Sequence, residues 1–191
     1  ELRTPLTALR GGLEGARRAE RTAPQYREAL ASSLDDVARL IRLAEDLLLL
    51  TRASAGGGKA APVDLEPLVL DVFDTGLRLA ADTGVSVRMA DAFPRAGKTP
   101  MTVTGDAMAL RRALLNLVEN ALKYTPAGGT VEISLAREGA ETVITVRDTG
   151  IGIPPADLER IFDPCVRLDA ARSRETGGAG LGLAIARSIV T

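Results

Sequence analysis

The sequence predicts two structural parts: an α-helical hairpin that pairs into a dimeric four-helix bundle, and an α/β sandwich with helices on one face of a mixed sheet. Three observations predict this fold class. Apolar residues recur at heptad spacing within residues 1–53, glycines cluster in residues 54–62, and helix-like and strand-like patterns alternate over residues 63–191. We therefore expect a hairpin domain, a flexible linker and an α/β domain at these boundaries.

The hairpin is predicted from apolar residues that recur every three or four positions in two stretches. In the first helix they are Leu2, Leu6, Leu9, Leu13 and Ala16, and in the second they are Leu30, Leu34, Val37, Ile41, Ala44 and Leu48. Residues 22–24 mark the turn, because Pro24 suits the first turn of a helix. A further leucine stripe gives the second helix more apolar surface than one partner covers. A homodimer is therefore favoured over a monomeric hairpin docked on the rest of the chain.

Residues 54–62 form the predicted linker, because they contain three consecutive glycines and no apolar period. Beyond the linker, helices are predicted at residues 66–83, 106–124, 155–162 and 180–190. Strands are predicted at residues 85–90, 101–104, 130–136 and 142–147, the last two joined by a turn at residues 138–141. This alternation is typical of a sheet covered by helices.

The composition excludes several classes of protein. A net charge of −1 argues against a nucleic-acid partner, because phosphate backbones select basic surfaces. One cysteine excludes an internal disulfide framework, and the lack of histidine argues against a zinc site. No apolar stretch reaches the roughly 18 residues of a membrane span, and the start has no signal peptide, so this polypeptide is expected to be soluble.

Three polar residues fall on one face of the helix predicted at residues 106–124: Asn116, Asn120 and Lys123. Amide oxygens there can coordinate a divalent cation, and the ammonium group can bind phosphate. The alternative is a set of exposed surface residues. The flanking residues are mostly apolar, however, so the helix is expected to be largely buried and its amides to need partners.

Two glycine-containing segments complete the candidate site. Asp148 precedes Gly150 and Gly152, which place a carboxylate at the mouth of a loop able to admit a flat ring. The glycines of residues 177–182 open a helical run, so backbone N–H groups can face an anion. Each segment by itself is a common turn or helix start. The glycine spacing of the second matches neither the dinucleotide-binding pattern nor a P-loop.

Four segments follow one another in a characteristic order: NLVENALKY at residues 116–124, DTGIGIP at 148–154, IFDPCVRLD at 161–169 and GGAGLGLAI at 177–185. They resemble the N, G1, F and G2 boxes of sensor histidine kinases of two-component systems. ELRTPLTALR at residues 1–10 is similar to the phosphoacceptor helix of that family. The resemblance covers essentially the whole chain. It implies a dimerisation and phosphotransfer hairpin at residues 1–53 and a Bergerat-type ATP-binding catalytic domain at residues 63–191.

The resemblance also implies a site for ATP and Mg²⁺. Asp148 is expected to accept a hydrogen bond from the adenine amino group, which selects ATP over GTP. Asn120, with Asn116 nearby, is expected to coordinate Mg²⁺. Further contacts to ATP are expected from Lys123, Tyr124, Gly150, Gly152, Arg167, Gly178, Gly180, Leu181 and Gly182. In the first helix, Glu1 is expected to orient or deprotonate the phosphoacceptor His, and Thr4 to position water for dephosphorylation of the partner.

The phosphoacceptor itself is missing, because the sequence contains no histidine. In the family a His stands immediately before the Glu of such a motif, so the acceptor is expected just ahead of Glu1 in the parent protein. Kinases of this family also continue into further strands after a helix like that at residues 180–190. The sheet is therefore expected to be incomplete at Thr191.

The implied function is an ATP-dependent protein-histidine kinase. It would transfer the γ-phosphate to a His of the dimerisation helix for relay to an Asp of a response regulator receiver domain, and would also act as a phosphatase. The alternative is a nucleotide-gated, non-catalytic dimeric signalling scaffold. ATP hydrolysis of the gyrase type is disfavoured, because Asn116 stands where those enzymes need a Glu to activate water. The chain would be the cytoplasmic portion of a membrane-anchored bacterial sensor, whose membrane segments lie outside this polypeptide.

Overall fold

The structure, a computed structural model, describes residues 3–18, 22–54, 60–90, 100–164, 166 and 180–190. The chain divides into two units that pack internally, residues 1–51 and residues 52–191. Within the described ranges, no helix is both long and apolar enough to cross a membrane.

The first unit contains α1 (Arg3–Arg18) and all but the last turn of α2 (Ala23–Ser54). α2 begins at the predicted turn, where the side chain of Gln25 accepts a hydrogen bond from the backbone N–H of Thr22 at 2.9 Å, as one half of a capping box. Apolar residues of the predicted heptad pattern are exposed on the single chain, namely Leu6, Leu13, Leu30, Leu34, Val37, Ile41 and Leu48. The hairpin thus presents an apolar surface that it cannot bury within itself.

The second unit contains, in chain order, β1 (Ala61–Asp64), α3 (Leu65–Ala80), β2 (Ser86–Met89), β3 (Thr102–Gly105), α4 (Ala107–Tyr124), β4 (Thr130–Glu138), β5 (Glu141–Asp148) and α5 (Gly182–Val190). β2 pairs in parallel with β4, and β4 pairs antiparallel with β5, which gives a mixed sheet in the order β2-β4-β5. β1 pairs antiparallel with β3 in a separate two-stranded sheet. The topology places the end of β5, and hence Asp148, beside the start of β4.

The core lies between the three-stranded sheet and two helices. It contains Val69 and Val72 of α3, Leu115 and Val118 of α4, and Val131, Ile133 and Leu135 of β4. Alternate residues of β4 are buried, as the two-residue period of a strand requires. Full burial of one such aliphatic side chain contributes about 1.5–3 kcal/mol. The predicted α/β sandwich with helices on one face of a mixed sheet is confirmed.

The helix predicted at residues 155–162 is wrong. This segment forms two short 3-10 turns, Pro155–Asp157 and Arg160–Phe162. Asp163 is extended, with φ −77° and ψ 140°, because it precedes Pro164 and a proline disfavours helical geometry in the residue before it. The segment therefore ends at Asp163 after two short turns and does not form an α-helix.

Other boundaries differ at the linker and at the last helix. α2 extends to Ser54 and β1 begins at Ala61, so both ends of the predicted linker belong to regular elements, and residues 55–59 lie outside the described residues. β1 was not predicted, because its four residues include Pro62 and show no clear alternation. α5 begins at Gly182 and not at residue 180, because Gly180 has a left-handed φ of 68°, which a right-handed helix excludes.

Candidate functional site

The candidate site is built on α4, whose first turn is capped by Asp106. The Oδ1 atom of this residue accepts hydrogen bonds from the backbone N–H groups of Met108 at 2.9 Å and Ala109 at 3.2 Å. From this start the helical period carries Asn116 and Asn120 onto one side. Asn116 is buried, with 4% of its surface exposed, and Asn120 is partly buried. The predicted pair of amides thus lies on a helix packed into the core.

Asn116 holds the start of α5 against α4. Its Nδ2 atom donates a hydrogen bond to the carbonyl oxygen of Gly182 at 3.1 Å. A Cβ atom on Gly182 would lie 3.3 Å from Cγ of Asn116, so the missing side chain permits this close approach. From the sequence, Asn116 was expected near the cation and Gly182 was expected to contact ATP. Their contact with each other was not predicted. The contact occupies the amide nitrogen of Asn116 and leaves Oδ1 as its potential ligand atom.

Asp148, the last residue of β5, lies beside the end of α4. Its Oδ1 atom accepts a hydrogen bond from the backbone N–H of Gly150 at 2.8 Å, while Oδ2 forms no hydrogen bond within the described residues. The backbone N–H of Ile151 donates to the carbonyl oxygen of Tyr124 at 3.2 Å. A Cβ atom on Gly150 would lie only 2.6 Å from that same carbonyl oxygen. Gly150 therefore lets the loop carrying Asp148 contact the backbone of α4 directly.

Gly150→Ala is expected to lower the stability of the second unit by about 1–3 kcal/mol, because the new methyl group would overlap a backbone oxygen that cannot move cheaply. Thermal unfolding followed by circular dichroism measures the effect. Gly139→Asn is the control: Gly139 has a φ of 64° and open space around it, and Asn tolerates the left-handed region. An unfolding temperature for Gly150→Ala equal to that of the control would refute the close approach.

Lys123 and Tyr124 lie at the carboxyl end of α4. The Nζ atom of Lys123 is 5.1 Å from the centroid of the Tyr124 ring, within the range of a cation–π interaction. Lys123 is partly buried, and 45% of the Tyr124 surface is exposed. This end of α4 therefore offers a cation and an aromatic face next to the loop that carries Asp148.

Only some of the remaining predicted site residues lie within the described residues. Three of them lie outside the described residues: Glu1, Arg167 and Gly178. Thr4 belongs to α1, in the first unit. Gly152 has a left-handed φ of 71°, and Leu181 is buried, with 3% exposed. The structure thus brings Asn116 together with Gly182, and Tyr124 together with the loop that carries Asp148.

Two threonines near Asp148 were not singled out from the sequence. The hydroxyl oxygen of Thr149 accepts a hydrogen bond from the backbone N–H of Thr130 at 2.9 Å, which closes the loop onto β4. Thr125 directly follows α4, and only 6% of its surface is exposed. Within the described residues its hydroxyl oxygen has no hydrogen-bond partner. The only signal in the sequence was their position next to Tyr124 and Asp148, since burial depends on the fold.

The donor atoms fit a nucleotide with a hard divalent cation. In the part of the chain that the structure describes, no group of three His, Cys, Asp or Glu residues could hold a metal ion. Amide oxygens of Asn116 and Asn120 suit Mg²⁺, which prefers oxygen ligands and completes its shell with phosphate oxygens and waters. Beside the carboxyl end of α4, the carboxylate of Asp148 suits a ring amino group. The residues present therefore fit both groups.

Two family models match the chain. The His Kinase A (phospho-acceptor) domain matches residues 1–56. The family of histidine kinase-, DNA gyrase B- and HSP90-like ATPases matches residues 105–191. The first match covers the helical hairpin, and the second covers α4, β4, β5 and α5. The two models therefore follow the order of the two structural units.

Similar proteins carry both parts. Sensor protein IrlS of Burkholderia pseudomallei (strain K96243) is 38% identical over 199 residues, which cover 100% of this chain and 40% of IrlS. The chain therefore spans well under half the length of that curated relative. The histidine kinase AdeS of Acinetobacter baumannii has a TM-score of 0.73 over 99% of this chain and 84% of its own, and at 24% identity it supports the fold alone.

The mycobacterial sensor histidine kinase MprB provides a solved structure at higher identity. It is 30% identical, with a TM-score of 0.54, over 69% of this chain and 78% of that chain. This likeness agrees with both family models and with the residues that the structure gathers around α4. The chain belongs to the sensor histidine kinase family.

Proposed function

We propose that this chain is the core of an ATP-dependent protein-histidine kinase. It would transfer the γ-phosphate of ATP to a His of the dimerisation helix, for relay to an Asp of a response regulator, and would also dephosphorylate that partner. The observation that carries this proposal is the contact between the Asp148 loop and the end of α4, made through Gly150. This contact would place the base beside Asp148, while the amides of Asn116 and Asn120 would lie near the phosphates.

The base end would recognise adenine through Asp148. The backbone N–H of Gly150 donates a hydrogen bond to Oδ1, so Oδ2 would be the atom that accepts a hydrogen bond from the amino group of adenine. Guanine carries a carbonyl oxygen at the corresponding edge, and two acceptors facing each other would leave both without a partner. That mismatch favours ATP over GTP.

The phosphate end would use the amides of α4 and the ammonium group of Lys123. Asn120, with Oδ1 of Asn116 beside it, would hold Mg²⁺, which when bound neutralises charge on the phosphate oxygens. Lys123, on the same face, would bind phosphate directly. Arg167 and the glycines of residues 178–182 would complete the contacts, of which only Gly180, Leu181 and Gly182 lie within the described residues.

The transfer step would use a His of the dimerisation helix as the acceptor. A ring nitrogen of the acceptor His would attack the γ-phosphorus in line, the bond to the bridging oxygen would break, and ADP would leave. Glu1 would hold the other ring nitrogen and accept its proton. Thr4, one turn along the helix, would position the water that attacks the phosphorylated partner and releases inorganic phosphate in the phosphatase function. Positioning supplies most of the rate in such a step.

The hairpin would act as a homodimer. Leu30 and Leu34 of α2 are 58% and 68% exposed on the single chain, although they belong to the heptad pattern that predicts a bundle. A second copy of the hairpin would bury them in a four-helix bundle.

The receiver domain of a response regulator would bind the helices near Glu1. We further propose that the chain is the cytoplasmic portion of a membrane-anchored bacterial sensor.

Titration calorimetry with ATP tests the phosphate end. The unmodified chain is expected to bind ATP more tightly with Mg²⁺ than with EDTA. Asn120→Ala should bind ATP equally in both conditions, because the variant lacks the oxygen that couples the cation to the protein. Glu119→Gln, an exposed neighbour on the same helix, is the control and should keep the Mg²⁺ dependence. Retained Mg²⁺ dependence in Asn120→Ala would rule out this residue as a ligand.

A further inference from the structure

Thr149 lies where the chain leaves the three-stranded sheet, one residue after Asp148. The ladder of β4 and β5 ends at the pair of Val131 and Asp148, and the next residues across the two chains are Thr130 and Thr149. The backbone N–H of Thr149 still donates to the carbonyl oxygen of Thr130 at 3.1 Å. In a regular antiparallel pair, the N–H of Thr130 would donate back to the carbonyl oxygen of Thr149. It donates instead to the side-chain Oγ1 of Thr149, at 2.9 Å.

The Thr149 hydroxyl thus replaces the carbonyl oxygen of its own residue as the acceptor. The backbone can then turn away from β4 directly after Asp148, while the pair with Thr130 stays closed. Two residues later the chain contacts α4, because the N–H of Ile151 donates to the carbonyl oxygen of Tyr124 at 3.2 Å. The turn is therefore held at both ends, by β4 at its start and by α4 at its finish.

Gly129, just before β4, leaves room for this hydroxyl. Among its contacts, a Cβ atom on Gly129 would lie 2.9 Å from Oγ1 of Thr149 and 3.0 Å from the carbonyl oxygen of Pro126. The backbone of Gly129 is itself held by β2, because its carbonyl oxygen accepts a hydrogen bond from the N–H of Ser86 at 2.9 Å. A side chain at this position would therefore displace Thr149 from β4.

The bond at Thr149 also holds the backbone that carries the Asp148 carboxylate. Asp148 is fixed on one side by its pairing with Val131, and on the other by the bond between Thr149 and Thr130. The same turn brings the N–H of Gly150 to Oδ1 of Asp148 at 2.8 Å. A shift of the turn would move this donor and the carboxylate together.

We propose that Thr149 is a positioning residue for base recognition: its hydroxyl holds the Asp148 carboxylate in place and so contributes to the preference for adenine over guanine nucleotides. This inference rests on the proposed binding of adenine nucleotides at Asp148. Hydrogen bonds weaken steeply as their angle departs from linearity. A single acceptor therefore discriminates between two bases only while its position is fixed. Thr149 acts on the base through the carboxylate.

Titration calorimetry with ADP in EDTA tests the proposal without a contribution from the cation. Thr149→Val keeps the shape and removes the hydroxyl, and since Thr149 is exposed, the change does not open the core. It should weaken ADP binding about three- to tenfold, as expected for one neutral hydrogen bond. GDP affinity, measured by competition, should change less, so the preference for ADP should fall. Thr149→Ser keeps the hydroxyl and should bind ADP within about twofold of the unmodified chain.

Two further comparisons show whether Thr149 acts through the carboxylate. Thr145→Val makes the same chemical change at an exposed position of β5, and it should leave both affinities unchanged. In a double-mutant cycle with Asp148→Asn, Thr149→Val should cause at most about a twofold further loss of ADP affinity, because the charged acceptor that it positions is already gone.

Several outcomes overturn the inference. An unchanged preference for ADP over GDP in folded Thr149→Val would leave the hydroxyl a purely structural role, even if the unfolding temperature fell. A loss in Thr149→Ser as large as that in Thr149→Val would exclude the hydroxyl as the cause. Losses that add in the double-mutant cycle would show that Thr149 acts independently of Asp148. In each case the unmodified chain still binds ADP and the proposed function stands; an unmodified chain that fails to bind ADP would overturn the proposed function and this inference with it.

Discussion

A polypeptide extended by one His ahead of Glu1, with two turns of upstream helix, is expected to take up acid-labile phosphate from ATP. The 191-residue chain is expected to bind ATP and remain unlabelled, because it contains no histidine. Phosphoryl transfer depends on an acceptor aligned with the γ-phosphate, so an intact nucleotide site cannot replace a missing nucleophile. Incubation with γ-labelled ATP, followed by acid treatment, measures the difference as the presence or absence of labile label.

A matched extension with Gln in place of the added His is the control. It restores the upstream helix and keeps a side chain of similar polarity, but it lacks a nucleophilic nitrogen. Label on the His version alone would support the kinase. No acid-labile phosphate on a His version that is dimeric and binds ATP would instead favour the nucleotide-gated scaffold.

Asp148→Asn is expected to weaken ATP and ADP binding about tenfold to a hundredfold, because a hydrogen bond to a charged acceptor contributes about 1.5–3 kcal/mol. The Asn side chain can also present an N–H group to the carbonyl oxygen of guanine, so the preference for ATP over GTP should fall. Titration calorimetry with both nucleotides measures the two effects together.

Asp74→Asn is the control for this substitution, because Asp74 is exposed on α3 and undergoes the same change of charge. It should leave both affinities unchanged. A folded Asp148→Asn variant that binds ATP as tightly as the unmodified chain would remove the basis for the adenine assignment. The unfolding temperature of both variants distinguishes a lost ligand contact from a lost fold.

Much of the second unit could be predicted from periodicity alone. α4 is close to its predicted range because a buried face repeats every 3.6 residues and Asp106 provides a capping side chain. β4 and β5 are found because β4 alternates over a long stretch, β5 is rich in β-branched residues, and a glycine marks the turn between them. β1 is short and contains a proline, so its strand character comes from pairing with β3, which a local pattern does not reveal. The resemblance to sensor histidine kinases is confirmed.

The sequence predicted which residues belong to the site. It did not predict which of them contact each other. The bond from Asn116 to Gly182 joins residues 66 positions apart, and no local pattern encodes it. Among the described residues the Thr125 hydroxyl has no hydrogen-bond partner, and this too is visible only once burial is known. The roles assigned to Asn120, Lys123 and Asp148 in binding ATP stay predictions until the titrations are made.

α4 also fixes the spacing between two of its contacts. It touches α5 at Asn116 and the Asp148 loop at Tyr124, and eight residues of helix separate these positions, or about 12 Å at about 1.5 Å per residue. The separation of these two contacts is therefore set by a rigid helix and not by a loop. One residue inserted between Asn116 and Tyr124 would rotate one contact by about 100° relative to the other. An insertion would therefore change both the distance between the two contacts and the sides of the helix on which they lie.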